Sequence, residues 1–354
     1  MNLKELSQQL GLSQTTVSRA LNGYPEVSEA TRARVAEAAR AHNYRPNTRA
    51  QSLATGRSMT IGHVIPMSRN HEMVNPIFGD FMAGAGETYA KHGYEMLLSV
   101  ANDTRTEEDI YRSFRARGSV DGVVVHGPSR LDSRLPLLEE LGIPFVVHGR
   151  ATGHDAPYPW LDVNNRRAFN RATAFLLDLG HRRIALINGL EHMDFAHRRR
   201  QGYEDALQDR DIRPDPALMV ADEMTENFGH DTAQSMMGLP DPPTAFVVSS
   251  VISALGVRRA IESRGLTMGH HVSVVTHDDA LSYMRNDGAE PVFTAVRSSV
   301  RDAGRRVAQV LIDRIVDPDA PVVQELLDAE LTVGLSTGPA PDRPSKGFHG
   351  LQTL

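Results

Sequence analysis

The chain contains no cysteine and a single tryptophan among its 354 residues, and it lacks any long apolar run. The absence of cysteine excludes a disulfide framework and thiolate metal sites. No apolar stretch approaches the ~18 residues that indicate a membrane span. No basic segment followed by a short apolar one marks a secretory signal. These absences predict a cytoplasmic protein that has no membrane partner.

Motifs for cofactor chemistry are also missing. The chain has no Walker loop, dinucleotide fingerprint or H-E-x-x-H motif, and the spacing of His192 and His197 does not suit a zinc pair on one helix face. Residues 334–338 spell the G-x-S-x-G of a hydrolase nucleophile elbow, which needs a strand before it and a helix after it. Pro339 and Pro341 follow instead. We therefore expect neither an enzyme nor a metal or other cofactor.

Charge is distributed unevenly along the chain. Residues 1–58 hold eight basic and four acidic residues, whereas the remainder holds 30 basic and 40 acidic residues. A basic head on an acidic body predicts that the head alone meets a polyanion.

The first 22 residues have the pattern of two short helices joined by a tight turn. Leucines recur at helical spacing over residues 3–10, and Gly11 ends that run. Ser13 can cap a second helix whose Val17, Ala20 and Leu21 face inward. Its outer face suits a DNA major groove, where Gln and Arg pair with purine edges and Ser or Asn hold phosphates. The candidate DNA contacts are Ser13, Gln14, Thr15, Thr16, Ser18, Arg19 and Asn22.

A third helix and a linker follow the helix pair. The helix is predicted from a Ser28 cap to about His42, and Pro46 disfavours further helix. Residues 48–56 have helical potential, but one or two turns are marginal in water without a partner. In a dimer, two such helices could push Leu53 into a minor-groove base step. A plain flexible linker is the alternative.

From residue 60 onward, short apolar runs alternate with helical stretches. The runs lie at residues 61–65, 96–100, 122–126, 144–148, 183–188, 244–249, 272–277 and 292–296. This alternation predicts parallel sheets covered by helices on both faces, and the length of the body favours two such lobes. The fold class is thus a small all-α helix-turn-helix head plus an α/β body of two doubly wound parallel-sheet lobes. Ligands bind such folds at the carboxyl ends of strands, here in the cleft between the lobes.

Several segments match one known family. They are residues 12–23 (LSQTTVSRALNG), 43–47 (NYRPN), 50–53, 75–76, 179–185 (LGHRRIA), 199–203 and 272–279. Through them the chain resembles the lactose-repressor (LacI/GalR) family of bacterial transcription regulators over nearly its whole length. The resemblance implies lobes of the periplasmic-binding-protein type, a homodimer or larger assembly, a pseudopalindromic operator and a small-molecule effector, a sugar or nucleobase, that closes the cleft.

The resemblance also implies a domain organisation. The DNA-binding domain is expected at residues 1–46, the hinge at 47–58, and the effector-binding and dimerisation body at 59–338. The N-lobe is expected at about 60–160 and 296–322, and the C-lobe at about 161–293 and 323–338. Residues 339–354 are rich in Pro and Gly and are predicted to be disordered.

Residue roles follow from the same resemblance. Gln14, Thr15 and Arg19 fall on base-reading positions. Asn47, Ala50 and Gln51 fall on hinge contacts, and Leu53 falls on the minor-groove wedge. Arg199 and Asp278 fall on the positions that clamp effector hydroxyls. Residues near other pocket-lining positions are Phe78, His126, Arg150, Trp160, Met224, Ser250 and Val300.

The clamp also makes chemical sense, because a guanidinium fork and a carboxylate together suit a polyol. On the residues alone, each has another interpretation. Arg199 could be a solvated member of a run of three arginines, and Asp278 could be a helix cap. Trp160 could pack in the core or offer a platform for a pyranose ring. Ser249 and Ser250 stand where the family commonly places Asn-Asp, which leaves the effector open.

Residues 145–150 look like the strand end of family members that regulate α-glucoside or maltose use. The predicted function is a repressor that a sugar effector, an α-glucoside, releases from its operator DNA. The alternatives are a sugar-binding module without DNA function and a corepressor-type regulator of another metabolite.

Overall fold

The computed structural model describes residues 1–21, 23–44, 56–66 and 75–341. The predictions for Asn22, Asn47, Ala50, Gln51 and Leu53 therefore lie outside the described residues, as do residues 342–354 of the predicted tail.

The head is a bundle of three helices, α1 (Leu3–Leu10), α2 (Gln14–Leu21) and α3 (Glu29–Ala41). The Ser28 hydroxyl caps α3 by accepting a hydrogen bond from the Thr31 amide. Leu6, Val17 and Val35, one from each helix, are fully buried and form a small core. The predicted apolar spacing is confirmed, because the side chains that recur at that spacing meet inside the bundle.

The first lobe is a parallel six-stranded sheet with the order β2-β1-β3-β4-β5-β11. Its strands are β1 (Thr60–Pro66), β2 (Glu95–Ala101), β3 (Gly122–His126), β4 (Phe145–His148), β5 (Trp160–Val163) and β11 (Gln324–Leu327). The helices that accompany them are α4 (Pro76–Lys91), α5 (Glu107–Arg117), α6 (Arg134–Leu141) and α11 (Val300–Val316).

The second lobe has the sheet order β7-β6-β8-β9-β10-β12, in which β12 runs antiparallel to β10. Its strands are β6 (Ile184–Asn188), β7 (Met219–Ala221), β8 (Ala245–Val248), β9 (Ser273–Asp278), β10 (Thr294–Arg297) and β12 (Glu330–Thr332). Its helices are α7 (Asn165–Asp178), α8 (Asp194–Gln208), α9 (Glu226–Met237) and α10 (Val251–Ser263).

The chain passes between the lobes three times, after β5, β10 and β11. These crossings lie a few residues beyond the expected boundaries at 160, 293–296 and 322. The reason is strand pairing: Trp160 of β5 is in register with Gln324 of β11, so both strands complete the first sheet before the chain leaves it. Likewise, β10 pairs with β9 and therefore belongs to the second lobe.

Glycines let the helices of two pairs approach each other backbone to backbone. Between α4 and α11, a Cβ on Gly84 would lie 1.9 Å from the Arg301 carbonyl oxygen, and one on Gly304 would lie 2.2 Å from a carbonyl oxygen of α4. Between α9 and α10, a Cβ on Gly229 and one on Gly256 would lie 2.0 and 1.9 Å from backbone oxygens of the facing helix. Any larger residue would force these helices apart.

The G-x-S-x-G string occupies a structural position. Ser336 is fully buried, and its hydroxyl donates to the Val274 carbonyl (2.5 Å) and accepts from the Thr294 amide (2.8 Å). No helix follows it up to residue 341. The Ala340 amide donates to the Leu179 carbonyl (2.9 Å), so the expected start of the disordered tail at 339 falls inside a segment that is bonded to the second lobe.

Candidate DNA interface and effector cleft

Helix α2 presents its polar face outward. Gln14, Thr15 and Arg19 are exposed, and Ser18 is half-buried. Ser13 caps the helix by accepting from the Thr16 amide (3.0 Å), and the two hydroxyls lie 2.8 Å apart. The three exposed side chains are free to reach base edges, while the cap fixes the helix N-terminus, where a phosphate is favourably placed.

In the cleft, the second lobe contributes Arg199, which projects from α8 and is only 6% exposed. Its Nε donates to Asn165 Oδ1 (2.7 Å) and its Nη1 donates to the Ser249 carbonyl (2.6 Å). The rings of Phe169 and Phe195 lie 5.0 and 4.9 Å from the guanidinium carbon. The guanidinium is thus held in one orientation by two hydrogen bonds and two aromatic rings.

Two carboxylates lie at the end of β9, Asp278 as its last residue and Asp279 directly after it. Asp278 Oδ1 accepts from the Ala280 amide (2.8 Å), and its Oδ2 lies 3.6 Å from Arg297 Nε. Burial raises the pKa of Asp278. Burial also acts to raise the pKa of Asp279, but the attraction of His277, Arg199 and His148 outweighs it and lowers that pKa.

Asp279 also influences the pKa of Arg199. Burial lowers the pKa of the Arg199 guanidinium to about 10, and the negative charges of Asp279 and Asp162 oppose that fall. The negative charges of Asp279 and Asp162 thus both favour the charged form of Arg199, and the clamp role of Asp278 stays a prediction.

The first lobe contributes an aromatic wall to the cleft. His126 and His148 are the last residues of β3 and β4, and both are half-buried. The Phe78 and Phe81 rings meet the His126 ring edge-on at 5.1 and 4.9 Å, and Phe81 stacks on His148 at 4.4 Å. Burial lowers the pKa of His148 to about 4 and that of His126 well below its usual value. Both imidazoles are therefore neutral near pH 7.

A polar chain connects the two walls beneath the cleft. Arg150 Nε donates to Asp162 Oδ2 (2.7 Å), and Asp162 Oδ1 accepts from Asn165 Nδ2 (3.3 Å). Asn165 in turn holds Arg199. The Arg150 guanidinium carbon lies 4.9 Å above the Trp160 ring, so one face of that ring is already covered. The half-buried ring also packs against the hydrophobic core of the first lobe, so packing accounts for this tryptophan.

The lobes also touch at the rim of the cleft. Asp194, at the start of α8, accepts from the amide (3.1 Å) and hydroxyl of Thr152 and from Arg198. Arg198 Nη2 donates to the Thr152 hydroxyl (3.0 Å). Elsewhere between the lobes, the Ser282 amide donates to Asp80 Oδ2 (2.8 Å). These bonds join the lobes directly, because Asp80 and Thr152 lie in the first lobe and their partners in the second.

Ser250, Val300 and Met224 are the other residues predicted near the pocket. Ser250 is fully buried, and its hydroxyl caps α10 by accepting from the Ile252 amide (3.2 Å). Its neighbour Ser249 bonds to Asn188 and supports Arg199 through its carbonyl. Val300 is buried at the start of α11, and Met224 is partly buried.

Sequence reasoning missed three residues of the site, namely His148, Asp162 and Asp279, and it missed His63, which is buried behind His126. A usable signal was present for His148, which ends an apolar strand in the same way as the predicted His126. In the parts of the chain described here, no group of His, Asp and Glu side chains could hold a metal ion. No helix in those parts has both the length and the apolar character that a membrane crossing requires.

Comparison with known proteins agrees with this architecture. Residues 2–47 match the family described as bacterial regulatory proteins, lacI family, and residues 173–337 match a periplasmic binding protein-like domain. The HTH-type transcriptional regulator AglR of Rhizobium meliloti is 46% identical over 343 residues, which cover 97% of this chain and 96% of AglR. The chain belongs to the lacI family of bacterial regulatory proteins. This lacI-family member is a DNA-binding transcriptional regulator.

Other relatives of this lacI-family chain carry a sugar or DNA in their solved structures. The CelR–cellobiose complex has a TM-score of 0.68 at 27% identity and covers 95% of this chain and 99% of the CelR chain. The lac repressor dimer bound to operator and the anti-inducer ONPF has a TM-score of 0.79, covering 96% and 99% of the two chains. At 24% identity, the lac repressor shows the shared fold alone.

Proposed function

We propose that this regulator is a repressor that binds a pseudopalindromic operator as a homodimer and leaves it when an α-glucoside closes the cleft. The observation that carries the proposal is the Arg199 guanidinium of the second lobe, which hydrogen bonds to Asn165 and Ser249 hold in place, together with the neutral His126 and His148 at strand ends of the first lobe. Because its target is bacterial DNA, we infer that it acts in the cytoplasm.

The chemistry of the two walls favours a neutral polyol. Arg199 offers donors only, Asp279 accepts only, and each neutral imidazole offers one donor and one acceptor. Hydroxyl groups, which both donate and accept, can satisfy all of these groups at once. An anionic effector would face Asp279, and a cationic one would face Arg199.

The sugar class rests on narrower support. The strand end at residues 145–150 resembles that of family members that regulate α-glucoside use, and CelR was solved with the glucose disaccharide cellobiose. The half-buried Phe78 is an apolar surface of the kind on which a pyranose ring packs.

Release from DNA requires that the sugar prefer one state of the protein. A ligand that binds the DNA-competent and DNA-incompetent states equally switches nothing, whereas a difference of ~1–3 kcal/mol gives a usable response. The interlobe bonds at Asp194 and Asp80 exist only when the lobes are close, so a sugar that bridges the walls favours that arrangement.

The deciding experiment is binding of the full chain to DNA from its own upstream region at fixed salt, titrated with maltose, sucrose, trehalose and methyl α-D-glucoside, with β-linked cellobiose as the control. We expect a specific complex that an α-glucoside dissolves and cellobiose does not. Release by cellobiose would overturn the sugar class, and tighter DNA binding with sugar would indicate a corepressor. Failure to bind any DNA would favour a sugar-binding module.

The head has its own test. Gln14→Ala and Arg19→Ala should each relax specificity at one base position, by ~1–3 kcal/mol. Leu53→Ala should weaken specific binding far more than nonspecific binding. Equal losses on both kinds of DNA would reject the wedge role, which stays a prediction because Leu53 lies outside the described residues.

A further inference from the structure

Behind His126, two more polar groups form a line into the apolar interior of the first lobe. His126 Nε2 lies 2.9 Å from His63 Nδ1, and His63 Nε2 lies 3.1 Å from the Tyr89 hydroxyl. His63 is 0% exposed in the middle of β1, and Tyr89 is 1% exposed on α4. The line therefore starts at the cleft wall and ends on the helix that packs against α11.

The proton count of this line restricts what His126 can offer to a ligand. Burial lowers the pKa of His63 to about 3 and that of His126 well below its usual value, so each ring carries one N–H near pH 7. A hydrogen bond between two ring nitrogens contains one proton. Once the donor of that bond is known, the other nitrogen of His126 is known as well.

Tyr89 determines the direction. Among the described residues, His63 Nε2 is the hydrogen-bond partner found for the Tyr89 hydroxyl. If this phenol accepted from His63, its own O–H would be buried without an acceptor, at a cost of ~1–3 kcal/mol. The phenol therefore donates to His63 Nε2, His63 Nδ1 donates to His126 Nε2, and the proton of His126 resides on Nδ1.

We propose that Tyr89 and His63 are positioning residues that fix His126 as the Nδ1–H tautomer, so that its free nitrogen donates a hydrogen bond to an oxygen of the effector. The proposal rests on the proposed function in that it places the sugar against His126. The proposal also gives the direction of this hydrogen bond: His126 donates, and the sugar oxygen accepts.

The first test needs no sugar. In the full chain labelled with ¹⁵N-histidine, we expect a nitrogen–nitrogen correlation across the His63–His126 bond and protonated Nδ1 on both rings. His63→Gln and His126→Gln identify the signals. A His126 ring that is protonated on Nε2 would overturn the proposal.

The hydroxyl of Tyr89 is tested by a matched pair of variants. Tyr89→Phe removes the donor that orients His63, so His126 should show both tautomers. Tyr94→Phe is the control, because Tyr94 is also buried in this lobe and its hydroxyl has no hydrogen-bond partner among the described residues. Equal spectra for Tyr89→Phe and the wild type would mean that Tyr89 does not set the tautomer, which overturns its part in the proposal.

The second test uses methyl α-D-glucoside and its monodeoxy and monofluoro analogues. Fluorine accepts a hydrogen bond but does not donate one, so at the position facing His126 the fluoro analogue should bind roughly three- to tenfold more tightly than the deoxy analogue. Tyr89→Phe should reduce that ratio, and Tyr94→Phe should keep it. A ratio unchanged in Tyr89→Phe would contradict the proposal. If the glucoside does not bind the wild type, the proposed function fails, and the nitrogen spectra still decide the tautomer.

Discussion

The two walls of the cleft use different chemistry. The second lobe presents a buried charge, Arg199, near the negative charges of Asp279 and Asp162, whereas the first lobe presents the neutral rings of His126 and His148 among phenylalanines. A charged wall supplies strong hydrogen bonds, and a neutral aromatic wall supplies shape and direction at a lower desolvation penalty. We therefore expect affinity to come mainly from the second lobe and selectivity from the first.

Removal of the charged wall should have the largest effect. Arg199→Ala should leave operator binding intact and weaken the sugar response by at least about 30-fold, because it deletes a buried, hydrogen-bonded charge. Sugar-dependent release of DNA measures this. Arg200→Ala is the control, since Arg200 is half-exposed and pairs with Glu191 and Glu204. Normal release by Arg199→Ala protein would refute the role of this wall.

The two aspartates at the end of β9 sharpen the comparison. Asp279→Asn should weaken sugar binding by about tenfold or more, because it removes a negative charge that favours the charged form of Arg199. Asp278→Asn should cost less, since that carboxylate bonds to the Ala280 amide beside it. Calorimetric titration of both variants measures the difference. A larger loss in Asp278→Asn would support the assignment that the family resemblance implies.

The neutral wall should make stability depend on pH. The folded-state pKa values of His63 (about 3) and His148 (about 4) lie below the ordinary value of 6.5, so below pH 6.5 the unfolded chain binds more protons than the folded one. Stability is then complete above pH 6.5 and falls on acidification, by ~1.4 kcal/mol per pH unit for each such histidine, until the folded pKa is reached.

Urea unfolding between pH 7 and pH 5 measures this slope. His148→Gln should reduce it, and His192→Gln, at an exposed position, should not. An unchanged slope in His148→Gln would show that this ring is not held neutral by the wall.

The smallest effect is expected at the contact between the walls. Thr152→Val removes the hydroxyl that bonds Asp194 and Arg198 across the cleft, which should weaken sugar binding by roughly fivefold without a sugar contact. Thr104→Val removes a hydroxyl that bonds to Asn102 within one lobe and serves as the control. Equal affinities in the two variants would mean that the rim bonds do not favour the closed arrangement.

Strong local patterns made much of the fold predictable. The prediction of a strand at 122–126 matches β3, and the Ser28 cap stands where α3 begins. Strands β5, β7, β11 and β12 match none of the eight predicted runs, because each is only three or four residues long. The last three also occupy sheet edges, where β11 and β12 carry glutamates. Short edge strands have too little apolar periodicity to stand out.

The site was less predictable, for physical reasons. The family pattern points to Arg199, which stays a prediction, and the choice between Asp278 and Asp279 depends on the backbone at the end of β9, where Ala280 adopts a positive φ of 54°. Strand alternation no longer tells which side a residue faces once the strand has ended. His63 was hidden because a histidine inside an apolar strand gives no local sign of the partners that satisfy it.

The glycine contacts between helices have a mechanical consequence. At the glycines of the α4–α11 and α9–α10 pairs, no side chain lies between the two helix backbones. We expect each pair to move as one stiff arm, so that a small rotation at the three crossings reaches the far end of the lobe. Variation at the crossings would tune the sensitivity of the switch, while substitution of these glycines would make the arms compliant and blunt it.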